Sequence, residues 1–183
     1  ECRAEGRAAF RATIAACNVV YFIGTRARTG GELWRSDGTP GGTYLVKDIR
    51  PGSGGQKSSS MLYVGDTLYF TADDGVHGSE LWRSDGTEAG TVLVKDIRPG
   101  TSNVDVPEHL TIVNGRLFFT DPDYLWQSDG TEAGTVPMPN VFAHWLTNVN
   151  GTLFFSAYDE VHGQELWKLV DDGLLSVTIS DVA

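Results

Sequence analysis

The sequence predicts an all-β protein, a β-propeller of four four-stranded blades, on three observations. The first is a tandem repeat: ELWRSDGTPGGTYLVKDIRPG at 32–52 returns almost unchanged as ELWRSDGTEAGTVLVKDIRPG at 80–100. A third copy, YLWQSDGTEAGTVPM, spans 124–138, and a worn fourth begins at Glu165 as ELWKLVDDG. The second is a pair of apolar runs ahead of each copy, broken by short turns at 17–18, 65–66, 114–115 and 150–151. The third is composition: 22 glycines and 40% apolar residues in 183 suit a turn-rich β fold with enough chain to bury a core. Four-stranded units recurring in tandem every ~40–50 residues have the period of propeller blades.

The blades are expected at about 12–49, 61–97, 109–138 and 145–183, preceded by an N-terminal extension, 1–11, that matches no repeat. Each opens with a hairpin: TIAACNVVYFIG, MLYVGDTLYFTA, LTIVNGRLFFT and LTNVNGTLFFS. Asn-Gly at 114–115 and 150–151 is a strong hairpin signal because both residues tolerate the positive φ of a type I′ turn. Asn150-Gly151-Thr152 is also a glycosylation sequon, but the turn accounts for it. The ELW strand follows, then SDGTxxGT, then the β-branched TVLVKDI strand. The third unit is shorter because TDPDYLW replaces TADDGVHGSELW.

Asp37, Asp85 and Asp129 sit in the same slot of three copies. A catalytic or metal-binding residue seldom needs to be present three times, so these aspartates read as turn caps. The same logic applies to Glu32, Glu80 and Glu165, which look at first like carboxylates for glycoside chemistry. Their recurrence at the start of one strand points to a repeated structural contact.

ELWRSDGT at 32–39 and 80–87, with LWQSDGT at 125–131, resembles the ELWxxDGT repeat family of bacterial extracellular proteins. The resemblance covers nearly the whole chain after residue 11, and the fourth unit departs from it. The turn is also similar to the Asp-box of sialidase-type propellers, which is structural there. The resemblance implies an extracellular or cell-surface location and no defined activity. In an exported protein, Cys2 and Cys17, the only cysteines, are expected to form one intrachain disulfide; two reduced thiols or a Cys2 bridge between chains are the alternatives.

The formal charge of −10 argues against nucleic acid and anionic membrane surfaces as partners. No run reaches transmembrane length, and no signal-peptide core is visible at the start. In a propeller, loops joining second to third strands, and blade to blade, share one face. That face is expected to collect Arg26, Arg28, Asp73, Asp74, His77, Asp121, Asp123, Asp159, Glu160 and His162, with inter-blade loops bringing His109 and His144. The candidate ligand-binding residues are therefore Asp73, Asp74, His77, His109, His144, Trp145, Asp159 and His162. Trp145, outside the repeat and beside His144, is the aromatic placed to stack on a sugar; as the start of an inner strand it could equally plug the channel mouth.

Histidines and aspartates converging near an axis could hold Ca2+ or another divalent cation, or act as an acid–base set. Against this, DDGVHG and DEVHG are copies of one loop, and the D-x-D-x-D-G calcium spacing is absent. No G-x-S-x-G, H-E-x-x-H, P-loop or G-x-G-x-x-G occurs. The expectation is an extracellular, non-enzymatic binding, adhesion or scaffold module for a glycan or protein, without nucleic acid or membrane insertion. Two alternatives stand beside it: a self-assembling surface or fibre protein, and a polysaccharide hydrolase or lyase using the His/Asp face. Ring closure would come from packing of the fourth blade on the first, or from residues 1–11.

Overall fold

A computed structural model describes residues 13–25, 31–52, 60–100, 107–138, 141–161 and 163–169. Among these every element is a strand, and the strands form four antiparallel sheets in simple meander order. Sheet A holds β1 (Thr13–Ala16), β2 (Val19–Thr25), β3 (Gly31–Ser36) and β4 (Tyr44–Lys47). Sheet B holds β5 (Met61–Val64), β6 (Thr67–Asp73), β7 (Ser79–Ser84) and β8 (Val92–Lys95). Sheet C holds β9 (Glu108–Val113), β10 (Arg116–Thr120), β11 (Leu125–Ser128) and β12 (Val136–Met138). Sheet D holds β13 (Ala143–Val149), β14 (Thr152–Asp159) and β15 (Gly163–Lys168). The expected fourth strand of the last blade, within 170–183, lies outside the described residues, as do Cys2, Arg26, Arg28, His162 and the 1–11 extension.

The chain divides into two compact units, Glu1–Pro107 and Glu108–Ala183. Each is a pair of sheets around one core. In the first, Ile14, Tyr21 and Leu33 of sheet A pack with Leu68, Phe70 and Trp82 of sheet B. In the second, Val113, Phe118 and Leu125 of sheet C pack with Leu153, Phe155 and Ala157 of sheet D.

The hairpin turns follow from their residues. Asn114 and Gly115 have φ of 50° and 80°, and Asn150 and Gly151 have 51° and 83°, the type I′ pattern. The SDGT loop is held by its own side chains. Asp85 Oδ1 accepts from the Thr87 amide (2.9 Å) and hydroxyl (2.7 Å), and Thr87 Oγ1 accepts from the Gly90 amide (3.0 Å). Ser84 and Thr91 exchange a hydroxyl hydrogen bond of 2.7 Å that closes the loop base. The same set recurs around Asp37 and Asp129. In all three, the threonine's hydroxyl and amide hold the aspartate below the usual carboxylate range.

The fourth strands end at Lys47 and Lys95, earlier than the TVLVKDI reading expects. The reason is the repeated glutamate. Glu80 is 2% exposed and accepts from the Ile97 and Arg98 amides at 3.0 Å each; Glu32 does the same for Ile49 and Arg50. Those amides bond a carboxylate across the blade instead of a strand, so the chain turns away.

Candidate functional site

The first unit places Asp73, Asp74 and His77 in the loop between β6 and β7, but gives each a local duty. Asp73 Oδ1 accepts from the Gly75 amide (2.6 Å), and its Oδ2 pairs with the Arg50 guanidinium. Asp74 accepts from the Val76 and His77 amides, both at 2.8 Å, and from His77 Nδ1 at 2.7 Å. Burial pushes the Asp74 carboxyl up, but these hydrogen bonds outweigh it and the net shift is down. His77 is raised, chiefly by its hydrogen bond to Asp74. This is an Asx-type turn that fixes its own histidine.

The second unit carries a different arrangement. His109 and His144, expected in inter-blade loops, lie inside strands β9 and β13. Each of these strands is lengthened by a bulge. In β9, register passes from Thr111↔Phe118 to Glu108↔Thr120, so His109 and Leu110 oppose Phe119 alone. In β13 it passes from Thr147↔Phe154 to His144↔Ser156, so Trp145 and Leu146 oppose Phe155 alone. His109 and Trp145 are thus the same position of two equivalent bulges. Both take positive φ, 54° and 56°, in a slot that normally favours glycine. A non-glycine residue held there costs roughly 1 kcal/mol or more, and bulky ones are rare.

The bulges bring the two rings together, with centroids 5.2 Å apart at 60°. Trp145 is 70% exposed, the most open of the described tryptophans. His109 is half-buried, and Thr120 Oγ1 meets its Nδ1 at 2.9 Å. Thr111 Oγ1 donates to the His109 carbonyl at 2.9 Å and braces the bulge. Burial lowers the pKa of His109; Glu108 opposes that and His144 adds to it, so the ring is neutral at neutral pH. An exposed indole edged by a neutral imidazole can stack on an apolar face and exchange one hydrogen bond beside it. Exposed Phe142 and His144 precede Trp145 in sequence.

Of the expected site residues, Asp73, Asp74 and His77 belong to the first unit, and His109, His144 and Trp145 to the second. Asp159 ends β14. Sequence reading missed that His109 matches Trp145 rather than His144. Counting back five residues from Asn114 and Asn150 reveals the match. Among the described residues, no group of three or more His, Cys, Asp or Glu is placed to hold a metal ion.

No family model matches the chain, and no curated protein does. Among solved structures, it is similar to part of a chain from a structural and mechanistic study of two prolyl endopeptidases. The TM-score is 0.50 at 13% identity, over 82% of this chain and 23% of that one. It is also similar to an α-L-arabinofuranosidase from Clostridium thermocellum ATCC 27405, with a TM-score of 0.42 and 13% identity over 92% of this chain and 70% of that one. The first likeness is one of fold alone, and the chain spans less than a quarter of the endopeptidase. The described residues form an all-β fold of antiparallel meander sheets.

Proposed function

We propose that the chain is a β-propeller of ELWxxDGT repeats, exported from the cell, that binds a glycan at the Trp145–His109 platform without turning it over. Supporting the propeller reading are the meander order of every sheet, the face-to-face packing within each unit and the tandem repeat. Export follows from the family resemblance, and a Cys2–Cys17 disulfide belongs to the same reading. Thiol titration of the denatured protein, with and without reductant, tests that bond: two thiols without reductant would contradict it.

The observation that carries the binding reading is the backbone strain spent on exposing an aromatic. Two neighbouring non-glycine residues hold positive φ, and the outcome is a tryptophan turned to solvent with an imidazole at its edge. Strain of this kind clusters at ligand sites. The indole would take the apolar face of a sugar ring, and His109 Nε2 a hydroxyl. A glycan array probed with wild type and Trp145→Ala tests this. Selective wild-type binding that the variant loses supports it; binding to protein ligands only, or glycan binding indifferent to Trp145, overturns it.

A further inference from the structure

Asn-Gly is the dipeptide most prone to spontaneous deamidation, because a glycine amide, with no Cβ beside it, can reach the asparagine side chain. The sequence holds two, Asn114-Gly115 and Asn150-Gly151, at the β9–β10 and β13–β14 turns of the second unit. The equivalent turns of the first unit carry Cys17-Asn18 and Gly65-Asp66. The two Asn-Gly turns share one conformation, with φ of 50° and 80° at the first and 51° and 83° at the second. Their side-chain contacts differ, and both sets of contacts meet at the Gly151 peptide.

Deamidation joins two groups, the asparagine carboxamide and the amide nitrogen of the next residue. At the first turn the carboxamide is held: Asn114 Nδ2 donates to the Gly151 carbonyl at 2.9 Å. At the second turn the nitrogen is held: the Gly151 amide donates to Asn148 Oδ1 at 2.9 Å. Val149 and Thr152 are the last ladder pair of this hairpin, so the Gly151 amide lies outside the ladder and takes a side chain as its acceptor. The matching place at the first turn is Ile112, which has no side-chain acceptor to offer.

Asn148 is itself fixed. Its Nδ2 donates to the Ile112 carbonyl on β9 at 2.7 Å, so the carboxamide is tied at both ends. An amide nitrogen attacks only after shedding its proton, and an acceptor on that proton keeps it in place. The contact that holds the hairpin thus also restrains its chemistry.

We propose that Asn150 is a modification site, converted to isoaspartate or aspartate without an enzyme, and that Asn148 is the positioning residue that restrains the conversion. The Gly151 nitrogen bonds to Asn150 Cγ, the Cγ–Nδ2 bond breaks, and ammonia leaves carrying the amide proton. Water then opens the succinimide at either carbonyl, so one water is consumed, one ammonia is released and nothing is oxidised. Isoaspartate routes the main chain through the former side chain, which adds a methylene to a turn that closes in two residues. The Gly151 carbonyl moves with it, and the Asn114 contact between the two hairpins is lost.

The full chain, incubated folded in mildly alkaline buffer, tests this by peptide mapping that separates isoaspartate from aspartate and reads Asn114 and Asn150 separately. Asn148→Ala removes the acceptor, whereas Asn148→Asp keeps it while cutting the bond to Ile112. Asn150 is expected to convert about fivefold faster in Asn148→Ala than in wild type, the effect of losing one hydrogen bond of ordinary strength. In Asn148→Asp it should convert at the wild-type rate. An Asn150 rate unchanged in Asn148→Ala overturns the proposal. So does Asn148→Asp converting as fast as Asn148→Ala, which would make the Ile112 bond the restraint. A rise at Asn114 equal to that at Asn150 also overturns it, because it would report general unfolding.

Discussion

The carboxylate of Asp85 occupies the space in which a side chain at position 90 would begin. A Cβ built on Gly90 would lie 2.1 Å from Asp85 Oδ1, and the same holds at Gly42 with Asp37 and at Gly134 with Asp129. The repeat's second glycine is thus required by its aspartate. Gly90→Ala forces the carboxylate off the Thr87 amide and hydroxyl, an overpacking cost of about 1–3 kcal/mol. Gly90→Ala combined with Asp85→Ala should recover most of the clash while still lacking the cap. Thermal unfolding of the single and double variants checks this; additive losses would contradict it.

Glu80 links stability to pH. Burial pushes its carboxyl up to about 7, against the Arg98 and Ile97 amides that oppose the shift, with Asp96 adding to it. The folded protein therefore holds this proton more tightly than the unfolded chain. Its contribution is full below about 4.5 and lost as pH rises through about 7. His77, also raised, acts in the same direction, while Asp37, Asp85 and Asp129 act oppositely in strong acid. Stability should peak on the acid side of neutral. Denaturant titrations are expected to show a fall on the order of 2 kcal/mol from about pH 4.5 up to about 7, after allowance for solvent screening. In Glu80→Gln that fall should shrink; an unchanged profile would remove Glu80 as its source.

Trp145 should trade stability against binding. Trp145→Gly relieves a positive φ of 56° at little packing cost, since the ring is mostly in solvent. The variant is expected to be as stable as wild type or up to ~1 kcal/mol more so. It should at the same time lose the ligand. A variant that loses stability by more than this amount would show that the indole is a packing element.

Binding should also depend on pH through His109. Burial lowers its pKa below the ordinary 6.5, so the ring is neutral through the physiological range. Affinity is expected to be flat above neutrality and to weaken on acidification, with a midpoint below 6.5. His109→Gln, which keeps a donor and cannot titrate, should flatten the acid limb. An acid limb retained in that variant assigns the dependence elsewhere.

Much of the fold was legible because it repeats. Asn-Gly turns, the ELW strand and SDGTxxGT each have a local physical cause, and three copies make that cause visible. The Glu32 and Glu80 contacts were legible as repeated, but their partners, the amides after Lys47 and Lys95, were not, because a buried carboxylate's donors leave no pattern in sequence. The site was half legible. Trp145 stood out as an aromatic outside the repeat, whereas His109 was grouped with the other histidines by residue type. What joins His109 to Trp145 is a bulge in each of two strands, and a bulge shifts register by one residue without changing composition.

Trp145 and His109 are proposed to act as one ligand platform. Its most direct test is a nitrogen-15 NMR titration of the full chain with soluble oligosaccharides (cello-, xylo-, arabino- and chito-series), following indole and backbone amides. Saturable shifts are expected to centre on the Trp145 indole N–H and the amides of β9 and β13, and to vanish in Trp145→Ala. Saturable shifts centred on the Asp74–His77 loop, or binding that survives in Trp145→Ala, would contradict it.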